Sequence, residues 1–162
     1  LLGRVAQAAY FAPMTPTAPP ASRTAFLDSR ESFDALVKAW ESGQLHKVDW
    51  THAAHVAMGA CYVVRYGDAA VDELRRGIKR HNAAVGTLDT ATSGYHETLT
   101  CFWTGVVSRL VKGQGDPWLA AREAVREVGE ARDLHRQYYS FDVVRDAAAR
   151  AAYVPPDLQG PY

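Results

Sequence analysis

Apolar residues recur along this chain at helical spacing in five separate stretches, and no stretch alternates convincingly as a half-buried strand would. Phe33, Leu36, Val37 and Trp40 stand at i, i+3, i+4 and i+7, one stripe facing a core. Asp28-x-x-Glu31 resembles a capping box and places the start of this helix near Asp28 or Ser29, with Gly43 closing it. A second helix is predicted over 51–66. It is built mostly of Ala, Val, Met, Cys and Tyr, so it is expected at the centre of the fold. Gly67-Asp68 ends it and leads into a third, with the stripe Val71, Leu74 and Ile78 and a solvated face of Arg75, Arg76, Lys79 and Arg80.

Residues 83–94 are rich in Thr, Gly and Ala and read as a loop. A fourth helix is predicted from about 93–95 to Gly113, with His96, Thr100, Trp103, Val107 and Leu110 facing inward. Asp116-Pro117 is a strong start for a fifth, carrying Trp118, Ala121, Val125 and Val128. A short Ala-rich helix follows Tyr138-Tyr139-Ser140, and Val154-Pro155-Pro156-Asp157 ends regular structure. The expected fold is therefore all-α, an antiparallel bundle of five or six helices forming one domain over 28–162. Residues 1–27 read as an extended N-terminal arm, stiffened by Pro13, Pro16, Pro19 and Pro20.

Composition narrows the function classes. The chain has 162 residues, 48% of them hydrophobic, enough for a core without disulfides. Lys plus Arg and Asp plus Glu number 18 each, so no overall field gathers nucleic acid or an anionic membrane, and neither is expected as a partner. No apolar run reaches the length of a membrane span. Residues 1–12 are apolar but short and carry Arg4, a poor secretory signal. Cys61 and Cys101 fall mid-helix with no CxxC pair, the pattern of core cysteines in a reducing cytoplasm.

The chemistry gathers in two segments, Trp50-Thr51-His52-Ala53-Ala54-His55 and Tyr95-His96-Glu97-Thr98-Leu99-Thr100. Each opens a helix. In an alternating bundle the second and fourth helices run parallel, which brings their first turns to one end. His52 and His55 are three residues apart on one face. With His96 from the neighbouring helix they form a candidate three-histidine site for a divalent metal, zinc or iron, with positions left open for water or substrate. Helix N-termini disfavour imidazolium, and neutral imidazole is the form that binds metal. Glu97, Tyr95 and Tyr139 are the candidate catalytic groups. Glu97 points about 100° away from His96 round the helix, and so suits proton transfer or support better than ligation.

Trp50, Tyr62, Asn82, Thr100, Trp103 and Tyr138 are the candidate substrate contacts, with the 83–94 loop as a cover. The expected substrate is a small molecule, because a bundle spares only a modest cavity. A metal-free alternative uses the same place as a binding or regulatory pocket for a small anion. Buried structural roles compete with all of these. Thr98 and Thr100 suit hydroxyls bonded back to helix carbonyls. His46, His81 and His135 sit among basic or loop residues and are expected exposed. There is no nucleophile elbow, no P-loop and no dinucleotide fingerprint.

The stretch Trp50-Thr51-His52-x-x-His55, then Asn82, Gly94-Tyr95-His96-Glu97-Thr98-x-Thr100 and the tail from Tyr138-Tyr139-Ser140 to Pro156-Asp157-Leu158, resembles a group of small uncharacterised bacterial helical proteins. The likeness runs over roughly residues 30–158 by order of motifs and implies no activity. A weaker likeness to DinB-type metal-binding bundles rests on histidines carried by helices, at a different spacing, and implies only that such a bundle can hold a metal.

Overall fold

The computed structural model describes residues 23–160. Over these residues the chain is all-α, with no strand. The helices are α1 (Arg30–Glu41), α2 (His52–Tyr66), α3 (Ala70–Ala84), α4 (Glu97–Leu110), α5 (Pro117–Val128) and the short α6 (Ala147–Ala151). Helix α2 packs against α3, α4 and α5. Its burial explains why: Ala53, Ala54 and every residue from Val56 to Tyr62 are buried.

The helix ends follow local chemistry. Ser29, extended at φ −143°, caps α1 by accepting a bond from the Ser32 amide at 3.1 Å. Asp28 is already in the helical region as the end of a 3-10 turn, Ala25–Leu27, so the expected Asp28–Glu31 box does not form. Thr51 caps α2, and Asp116 caps α5 with Pro117 in its first turn. Helix α4 starts two residues beyond Tyr95, because His96 itself is its cap, and it stops at Leu110 rather than Gly113. Helix α3 runs on to Ala84, so the loop begins at residue 85.

Most of the expected arm, residues 1–22, lies outside the described residues. Its end at 25–27 is part of the fold: Leu27 is buried, and its carbonyl accepts a bond from Trp118 Nε1 at 3.3 Å. The core joins Phe33, Leu36, Val37 and Trp40 of α1 to Met58 and Tyr62 of α2, Phe102 and Val107 of α4, and Ala120, Ala121 and Ala124 of α5. Gly77 on α3 is part of this contact. A Cβ there would lie 2.1 Å from Trp40 Cη2, so only glycine lets α3 approach the buried indole. No helix among the described residues is long and apolar enough to cross a membrane.

Candidate functional site

One cavity of about 790 Å³ opens at the end of the bundle where α2 and α4 begin and α3 and α5 end. It is larger than the modest space expected, near the upper part of the usual range for ligand sites. Five of the six histidines in the chain line it: His52, His55, His81, His96 and His135. His46, the sixth, is exposed elsewhere.

Helix α2 supplies His52, His55, Val56 and Gly59, successive positions of one face. The His52 ring N–H at Nε2 donates to the Val128 carbonyl at 3.1 Å, and the ring meets Trp103 edge-on at 4.7 Å. His55 donates from Nδ1 to the Thr51 carbonyl at 2.7 Å and lies against Trp50 with centroids 3.9 Å apart and the rings tilted by 34°. Each bond fixes a neutral tautomer, leaving a lone pair on His52 Nδ1 and His55 Nε2 with no partner among the described residues. His55 is exposed to water-sized molecules where it lines the cavity, with the surrounding wall close about the ring. Desolvation dominates there and pushes its pKa down to about 4, with the charges of neighbouring histidines and Arg132 adding to it. His52 is lowered by burial and by Arg132, His81 by burial, and His96 by burial and by Arg150. Four neutral imidazoles thus face one space.

His96 is held differently. Its Nε2–H donates to the Val143 carbonyl at 2.9 Å, while Nδ1 accepts from the Leu99 amide at 3.3 Å. Both nitrogens are engaged, so the ring is a helix cap and a clamp on the 143 segment. A shared three-histidine ion therefore does not fit this arrangement. Among the described residues no three of His, Cys, Asp and Glu come together as a metal site requires.

Glu97 also departs from its expected role. Its carboxylate accepts from Arg75 Nε at 2.9 Å and from the Tyr95 hydroxyl at 2.8 Å. The Arg75 pair, followed by the Tyr95 bond, lowers its pKa to about 2. It is a fixed anion outside the cavity and does not exchange protons near neutrality. Tyr95 does line the cavity with its ring, but its hydroxyl is spent on Glu97, and burial raises its pKa.

Trp50, Asn82, Thr100 and Trp103 line the cavity, as do Val85, Thr87 and Gly94 of the 85–96 connection. Asn82 Nδ2 reaches Asp89 Oδ1 at 3.5 Å, and the same oxygen accepts the Tyr95 amide at 2.8 Å, which ties the connection to α3. Tyr62, Tyr138 and Tyr139 do not line it. Tyr62 lies in the core against Trp40 and donates to Glu41 Oε1 at 3.1 Å. Tyr138 packs on Phe102, and the Tyr139 hydroxyl donates to the Val154 carbonyl at 3.0 Å. The chain beyond α5 turns through a 3-10 helix, Leu134–Gln137, and this presents His135 to the cavity in their place. Thr98, expected to bond backward, instead donates to the Ala152 carbonyl at 2.9 Å and accepts the Val154 amide at 3.0 Å, holding the tail on α4.

His81 and His135 were expected exposed and are buried. His81 has no exposed surface, and neither ring nitrogen has a partner among the described residues. A sequence signal existed for it: the stripe Val71, Leu74, Ile78 extended by three residues lands on His81. Nothing comparable marks His135. The charged wall is mostly cationic. Lys47, Arg132 and Arg150 face one acid, Asp133, whose carboxylate sits 3.4 Å from Arg136. Arg150 donates to the carbonyls of Gly94, Tyr95 and Val144 and has no carboxylate partner among the described residues.

Comparison with protein-family models, curated proteins and solved structures gave no match.

Proposed function

We propose that the chain binds a small organic anion, a carboxylate, in the cavity without a metal. The observation that carries this reading is the excess of cationic over anionic groups, Lys47, Arg132 and Arg150 against Asp133, on a wall that also carries five histidines. The positive charges of Arg132 and Arg150 help keep His52, His55 and His96 neutral. The same potential favours an incoming anion. The free lone pairs of His52 and His55 accept, so they suit a hydrogen-bond donor elsewhere on the ligand, while the cationic side chains take its carboxylate. A cytoplasmic setting belongs to this reading, since Cys61 and Cys101 are unbridged and burial raises both thiols to about 11.

The test is calorimetric titration of acetate, benzoate and octanoate in chelated buffer at pH 7. The reading expects a carboxylate to bind, and Arg132→Gln to weaken that binding and its salt dependence. Equal binding by wild type and Arg132→Gln at every salt concentration contradicts it.

The second reading is a small metal-dependent enzyme. It is favoured by one observation: His52 and His55 each donate one ring N–H to a backbone carbonyl, the arrangement that orients metal-ligating histidines. Zinc or iron near one equivalent in untagged protein, by elemental analysis, selects this reading over the first.

A further inference from the structure

Two glycines lie inside helices at buried positions, and only one of them is demanded by contact. Gly77 has Trp40 against it. Gly59, in the middle of α2, has room: outside its own helix backbone, a Cβ there meets one atom within 4 Å, Val107 Cγ2 at 3.8 Å, an ordinary contact. Its φ is not in the left-handed region. Helix α2 otherwise uses alanine freely, at 53, 54, 57 and 60. Glycine in a helix interior is less favourable than alanine. Neither backbone nor packing explains it at 59. What a methyl would change is the cavity, which Gly59 lines one turn beyond His55 and opposite Val107.

We infer that Gly59 sets the depth of the site, and that the ligand is an amphiphilic carboxylate whose apolar end reaches it. The inference rests on the anion reading above. The cavity wall carries both kinds of group that such a ligand requires. Lys47, Arg132 and Arg150 supply charge, while Gly59, Val56, Leu74, Ile78 and Val107 supply apolar wall. The rings of His55 and Trp50 lie against each other on that wall, tilted by 34°. A carboxylate without an apolar tail leaves that wall in contact with water.

The test is calorimetry at pH 7 with straight-chain acids from butanoate to decanoate, on the full chain and on Gly59→Ala. In the wild type, affinity rises with each methylene until the chain end meets Gly59. In Gly59→Ala the rise stops one methylene earlier: short acids bind as before, and the longest lose about fourfold, the equivalent of one buried methylene. Melting of the unliganded proteins is the second readout, and Gly59→Ala melts higher because the methyl favours the helix and has space. A loss equal at all chain lengths, no change at any length, or a lower melting temperature overturns the role of Gly59 while leaving the anion site standing. Failure of every acid to bind the wild type removes both.

Discussion

Two tryptophans that stack on one another, Trp40 and Trp50, use the same residue types to opposite ends. Trp40 is fully buried, edge-on to Tyr62 at 5.4 Å, with α3 pressed onto it at Gly77. Trp50 stacks on Trp40 at 5.3 Å, and its other neighbours are His55 and His81, at the wall of a cavity. On the first side, glycine is present because there is no space. On the second, Gly59 is present where space remains. The core side is closed by dispersion and shape, which leave little tolerance. Both sides hold buried nitrogens without a partner among the described residues, Trp40 Nε1 on the first and those of His81 on the second, at a cost of about 1–3 kcal/mol for each group.

Breaking the closed side has the largest expected effect. Gly77→Ala forces a methyl into the Trp40 ring, which has no free volume to move into, and destabilises by about 3 kcal/mol. Urea unfolding measures this, and a loss under 1 kcal/mol shows that α3 shifts freely and the contact is not tight. On the cavity side, His96→Ala is next. It leaves the Val143 carbonyl and the Leu99 amide without their partner and lowers stability by about 1–3 kcal/mol. Carboxylate affinity should change less than in Arg132→Gln. The reverse order places His96 in the binding machinery.

Acid then sharpens the comparison, because the closed side holds no histidine while the cavity holds five. Four of them, His52, His55, His81 and His96, have folded-state pKa values below the ordinary histidine value near 6.5. As pH falls below 6.5 the unfolded chain takes up protons that the folded chain refuses, so stability is lost. The loss continues to about pH 4, where His55 finally charges. Urea midpoints between pH 7 and 4 should therefore fall steadily, and less so in His55→Gln. A flat profile means the imidazoles are already charged or freely solvated.

The fold was largely legible in the sequence. The stripe from Phe33 to Trp40, the Gly67 break and Asp116-Pro117 are local signals, and each lies where the chain bends or packs. The end of the bundle that carries the cavity was legible too, since two helices open with histidines. What those histidines do was not. Whether His96 is a wall group or a clamp depends on Val143, forty-seven residues away, and no spacing rule reports that contact. Glu97 looks catalytic until Arg75 arrives from α3. The tyrosines at 138 and 139 were misplaced because the turn before them is 3-10, where helical periodicity gives no face. The basic neighbours Lys79 and Arg80 suggest an exposed His81, whereas its place on the α3 stripe decides its burial.

The claim at the centre is a cavity of neutral imidazoles that receives a carboxylate, and nitrogen-15 NMR of the histidine rings at pH 7 tests it most directly. The account predicts His55 as the neutral tautomer with its proton on Nδ1, and a shift of its Nε2 resonance when octanoate is added, while His46 stays unchanged. A charged His55 ring in the free protein, or an octanoate titration that leaves His52 and His55 where they began, contradicts it.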